Sequence, residues 1–124
     1  MTITSYRDLH AWQLSMDLAE SVYALTSSFP SDERFGLTSQ LRRSAVGIPS
    51  HISEGHPQST GVYRRYLLIA LGCQAECDTQ LELAKRLRIA SSGDVEPVMA
   101  LTDRVGRVLH GLLRSLPDID PRRP

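Results

Sequence analysis

Gly36-Leu37-Thr38-Ser39-Gln40-Leu41-Arg42-Arg43-Ser44-Ala45-Val46-Gly47-Ile48-Pro49-Ser50-His51-Ile52-Ser53-Glu54 carries apolar residues at Leu37, Leu41, Ala45, Ile48 and Ile52. Steps of three and four place those side chains on one face of a helix, and the alternation of a strand does not fit. The run predicts an amphipathic helix over about residues 36–54. Pro49 lies inside it and removes the hydrogen bond to the carbonyl of Ala45, so a kink is expected, eased by Gly47 and Ser50.

Working outward, Gly55-His56-Pro57-Gln58-Ser59-Thr60 is a run of turn residues. It leads into a helix expected over about 60–89, with Tyr66, Ala70, Cys73, Cys77, Leu81 and Ala84 as its stripe. Tyr63, Leu67, Leu71 and Leu87 broaden that stripe. Such a helix reaches about 45 Å, longer than its neighbours, so part of it is expected to project or to pack on another subunit. Ser91-Ser92-Gly93-Asp94 reads as the next turn and cap, followed by a helix over about 94–116 that takes Pro97 in its first turn. Its stripe is Val98, Leu101, Val105, Val108, Leu109, Leu112 and Leu116, and Pro117 ends it. In the other direction, Phe29-Pro30-Ser31-Asp32 stops a first helix over about 6–27. Ser5 and Asp8 have the spacing of a capping pair. Leu9, Trp12, Met16, Ala19 and Tyr23 form the expected core stripe, widened by Val22.

Four amphipathic helices on short connections bury their stripes most simply as an all-α, antiparallel up-down-up-down four-helix bundle. That makes one domain over 1–117, with 118–124 expected to be a disordered tail. A chain of 124 residues is large enough for a single hydrophobic core. No apolar run approaches the length of a membrane span, and the N-terminus has neither a basic leader nor an apolar core, so a cytoplasmic location is expected. Fourteen basic residues balance fourteen acidic ones, which gives no overall attraction to polyanions. All of the cations except Lys85 are arginine, the better fork for phosphate or carboxylate; Arg enrichment is also a common bias of GC-rich genomes.

The sequence carries none of the common catalytic or metal-binding signatures on this frame. Di-iron bundles need Glu-x-x-His pairs facing inward, but Glu20, Glu54, Glu76 and Glu82 are followed at the third position by Tyr23, Pro57, Thr79 and Lys85. His10, His51, His56 and His110 are scattered, and no glycine-rich phosphate loop occurs. Cys73 and Cys77 share a helical face at a spacing poorly suited to a disulfide, so both are expected to be reduced, buried packing residues. No catalytic residue, cofactor or metal ligand is therefore expected.

The remaining candidates are polar. Ser39, Arg42 and Arg43 lie on the polar side of the second helix, with Ser50, Ser53 and Glu54 after the proline. Arg64, Arg65, Lys85, Arg86 and Arg88 add cations on the third. They are either a strip that contacts phosphate or cations that pair with Glu54, Glu76, Asp78 and Glu82 within or between subunits. Arg42, Arg43, Glu54 and Gln80 are expected in polar networks between helices or subunits.

Several of these residues also carry a family resemblance. Tyr6-Arg7-Asp8-Leu9, Ala11-Trp12-Gln13, Phe29-Pro30, the run Gly36 to Val46, Ile48-Pro49-Ser50, Glu54-Gly55, Ala70-Leu71-Gly72, Glu76 and Thr79-Gln80-Leu81 resemble the 23S rRNA intervening-sequence protein family. The similarity is close over about Tyr6 to Ile89 and looser over the last helix. It implies a left-handed antiparallel bundle assembled as a ring-like homopentamer, with no established catalytic residues. Some members are encoded within intervening sequences of ribosomal RNA. Relatives serve diversity-generating retroelements by binding nucleic acid and a reverse transcriptase. This chain departs from the family at His51 and Ser53, where Asn and Ala are usual, and at Gln58-Ser59-Thr60, where a basic loop is common. Cys73 and Cys77 replace a serine and a leucine. The expectation is a non-enzymatic homo-oligomeric scaffold, with a nucleic-acid-binding accessory protein as the alternative.

Overall fold

A computed structural model describes residues 3–118, so the expected tail lies outside the described residues except for Asp118. Among those residues there are four α-helices and no strand: α1 His10–Thr26, α2 Leu37–Gly55, α3 Thr60–Arg86 and α4 Ser92–Ser115. Two short 3-10 turns, Tyr6–Asp8 and Ser31–Glu33, precede α1 and α2. The helix α1 packs on α2 and α4, and α3 packs on α2 and α4. None of these helices is long and apolar enough to cross a membrane.

Local chemistry sets the ends. Ser5 and Asp8 do form a capping box, but it closes the 3-10 turn; Leu9 is extended, and α1 starts only at His10. The helix α3 stops before Ile89 because Arg88 adopts φ 58°, a left-handed conformation. The Ile89 amide then donates to the Ala84 carbonyl (2.9 Å) and the Arg88 amide to Lys85 (3.1 Å), the paired bonds of a Schellman ending. Ser91 caps α4 by accepting from the Asp94 amide (3.2 Å). Because α4 begins at Ser92 rather than Asp94, Pro97 falls inside the helix and not in its first turn. Pro49 is likewise internal and buried.

The core joins all four helices through Leu18 and Val22, Leu41, Ile48 and Ile52, Leu67 and Leu81, and Val95, Val105 and Leu109, each fully buried. The α2 stripe buries as the sequence predicts. The expected α1 stripe is buried only at Leu9 and Val22. Ala11, Leu14, Leu18, Val22 and Leu25 face the core, whereas Trp12 and Ala19 are half-buried and Met16 and Tyr23 are exposed. Both sets repeat at three- and four-residue steps, and α1 is apolar on two sides. The side carrying the larger aliphatic set was taken by the core.

Two glycines let α3 lie close to α2. A Cβ on Gly55 would sit 2.5 Å from Tyr66 Cβ, and one on Gly47 would sit 2.9 Å from Cys73 Sγ. The outer surface of α2 forms a ridge with a groove on each side.

Candidate functional site

The groove between α2 and α3 has a volume of about 580 Å³, with Arg43, Ser44, Gly47, His51, Cys73, Glu76 and Gln80 in its wall. The Ser44 hydroxyl sits 2.8 Å from Gln80 Oε1 and 3.1 Å from the Leu41 carbonyl, so the groove floor is a polar tie between helices. His51 Nδ1 is buried without a hydrogen-bond partner, 3.8 Å from Glu54 Oε1. Cys73 is only half-buried there, which corrects the expectation of two buried cysteines; Cys77 is buried. Both thiols are free. Burial pushes Cys77 up to about 11. Burial, and secondarily the Glu76 carboxylate, also raises Cys73. Neither thiol is prepared as a nucleophile, because the thiolate is the reactive form.

On the other side of the ridge, a cleft of about 600 Å³ gathers Arg34, Arg42 and Arg43 with Tyr23 and Phe35, and no carboxylate lines it. The Arg42 guanidinium lies 4.4 Å over the Tyr23 ring, and its Nε donates to Thr26 Oγ1 at 2.8 Å. Arg34 stands 5.5 Å from the Phe35 ring, and that ring is 89% exposed. The cleft continues into a smaller groove between α1 and α2, walled by Trp12, Met16, Ala19, Val46 and Pro49. That groove is apolar because it is bounded by the side of α1 that the core left over.

The eight residues singled out from sequence do not form one site. Arg42 and Arg43 share the cleft, and Arg43 and Gln80 share the α2–α3 groove. Glu54 and Arg65 line a separate hollow with Val62, Tyr66 and Ile69. Arg64 turns toward the end of α4, donating to the carbonyls of Pro117 (3.0 Å) and Leu113 (3.5 Å). Lys85 and Arg86 both reach Glu82, at 3.3 and 3.1 Å, and Lys85 lies 3.8 Å from Glu96. Of the four acids expected to pair with arginines or Lys85, only Glu82 does so within the chain among the described residues. Sequence reasoning missed Arg34, Phe35 and Tyr23 as parts of the cleft. The available signal was a cation beside an aromatic in a connector, Arg34-Phe35, which periodicity does not read. Among the described residues, no three His, Cys, Asp or Glu side chains gather so as to hold a metal ion.

The fold and its grooves define an all-α protein of four helices with an arginine- and aromatic-rich face. Residues 7–111 match the 23S rRNA-intervening sequence protein family, and the chain belongs to that family. The fold is similar to that of a protein of unknown function from the S23 ribosomal protein family of Bacteroides thetaiotaomicron VPI-5482, known from a crystal structure at 1.70 Å. The TM-score is 0.78 at 21% identity, covering 85% of this chain and 96% of the other. Comparison with curated proteins gives no match.

Proposed function

We propose that the chain is a non-enzymatic scaffold: an antiparallel up-down-up-down, left-handed bundle that assembles into a ring-like homopentamer in the cytoplasm and presents a repeated surface to a partner. The bundle order agrees with the packing of each helix on two neighbours. The observation that carries the assembly is the outer side of α3, which leaves Val62, Leu68, Ile69 and Leu83 exposed. Large apolar side chains left exposed along one side of a helix suit burial against another subunit. Light scattering on the purified protein tests this reading. The expected mass is five times the 13.8 kDa chain, and a monomer throughout the micromolar range overturns it.

A second reading is favoured by the cleft with three arginines, two aromatics and no carboxylate. Guanidinium groups suit phosphate, and exposed aromatic rings suit unstacked bases. Repetition around a ring would add avidity. Binding of labelled structured RNA and single-stranded DNA is measured over roughly 50 to 200 mM salt. Affinity that falls steeply with salt supports an accessory protein for nucleic acid, and no binding at the low end removes that reading.

A further inference from the structure

We infer that the apolar groove between α1 and α2 receives the outer ridge of α3 from a second copy of this chain. The inference rests on the oligomeric reading above and adds which surfaces meet. The groove and the ridge are different surfaces of one chain, so the contact is head-to-tail, the kind that closes rings.

Gly72 points to the ridge. It lies in the middle of α3, where glycine is a poor helix residue relative to alanine. Gly55 and Gly47 have reasons inside the chain, since a neighbouring helix fills the space a Cβ would need; at Gly72 a Cβ would meet nothing within 4 Å. A mid-helix glycine with open space before it fits the close approach of a backbone from outside. Leu68 and Ile69 flank it, with Leu68 55% exposed.

The groove offers the matching shape and composition. Trp12, Met16 and Ala19 form one wall and Val46 and Pro49 the other, with arginines at the cleft end and no carboxylate, the composition of an interface core. Charge agrees with this contact. Glu76, one turn beyond Gly72 on the ridge, is exposed, and Arg43 stands at the cleft end of the groove. The two share the α2–α3 groove within one chain, yet neither has an ion-pair partner among the described residues, so a ridge with an unpaired acid meets a groove end with unpaired arginine.

Two variants test this, each made at exposed or open positions so that the fold survives, as far-UV circular dichroism would verify. Gly72→Arg blocks the ridge; Met16→Arg with Val46→Arg blocks the groove. Each alone is expected to be a folded monomer. Mixed, they are expected to form a one-to-one dimer, because one intact ridge still meets one intact groove while the two blocked faces repel. Variants that keep the wild-type mass overturn the inference and leave the oligomeric reading standing. Monomers that fail to pair on mixing also overturn it. A groove variant that keeps its mass but loses RNA binding assigns the groove to nucleic acid instead, and a monomeric wild type removes both readings at once.

Discussion

Replacing Gly55 by alanine probes the contact on which the α2–α3 geometry depends. The new methyl would lie 2.5 Å from Tyr66 Cβ, 3.0 Å from Cγ and 3.2 Å from Cδ2. Tyr66 Cβ is fixed to the α3 backbone, so no rotamer relieves the clash. Carbon atoms pack best at about 3.5–4.0 Å, so the helices must separate by about 1 Å at this level. Overpacking of this kind costs about 1–3 kcal/mol, and the clash is severe enough for the upper part of that range. Alanine returns up to about 1 kcal/mol through helix propensity, less at Gly55 because it is the last residue of α2. The net loss is about 2 kcal/mol, or a fall in Tm of about 5–10 °C for a chain of this length. Urea unfolding at one fixed protein concentration measures it, with an unchanged slope showing that stability alone moved. Gly111→Ala is the control: its methyl meets only Arg114 Nη2, at 3.8 Å, so it is expected to be neutral or slightly stabilising. A Gly55→Ala variant as stable as wild type would refute the claim that glycine is what lets α3 approach α2.

Leu41→Ala removes a fully buried side chain facing the shared core and is expected to cost about 2–5 kcal/mol in denaturant unfolding. A double-mutant cycle on Ser44→Ala and Gln80→Ala should return a coupling of about 1 kcal/mol, and additive losses would deny the bond between α2 and α3. Arg64→Ala frees the Leu113 and Pro117 carbonyls, so amide exchange in the last turn of α4 should quicken while the rest of the helix is unchanged. Cys77 titrates at about 11 in the folded chain, above its ordinary value of 9.0. The unfolded chain therefore loses this proton first, and stability present below pH 9 is lost as pH rises toward 11. Tyr63, pushed up to about 12 by burial from 10.0, extends the loss. Urea midpoints at pH 8 and 10.5 should show the fall, and Cys77→Val should reduce it.

The sequence by itself determined the number of helices, most of their ends and the core face of α2. Those features are local: a 3.6-residue repeat has one apolar side in Leu37 to Ile52, and turn residues interrupt the repeat at Phe29-Pro30 and at Gly55 to Thr60. It could not choose between the two apolar sides of α1, because periodicity records that a face is apolar and not what will cover it. Only the packing of α2 and α4 against α1 assigned Leu14 and Leu18 inward and left Met16 and Tyr23 outside. The same packing decided the candidate site. Arg34 and Arg42 come from a connector and a helix, Tyr23 from another helix, and they share one cleft only because α1 and α2 lie side by side. Which charges stand beside one another depends on distances between segments, and a linear repeat does not carry that information.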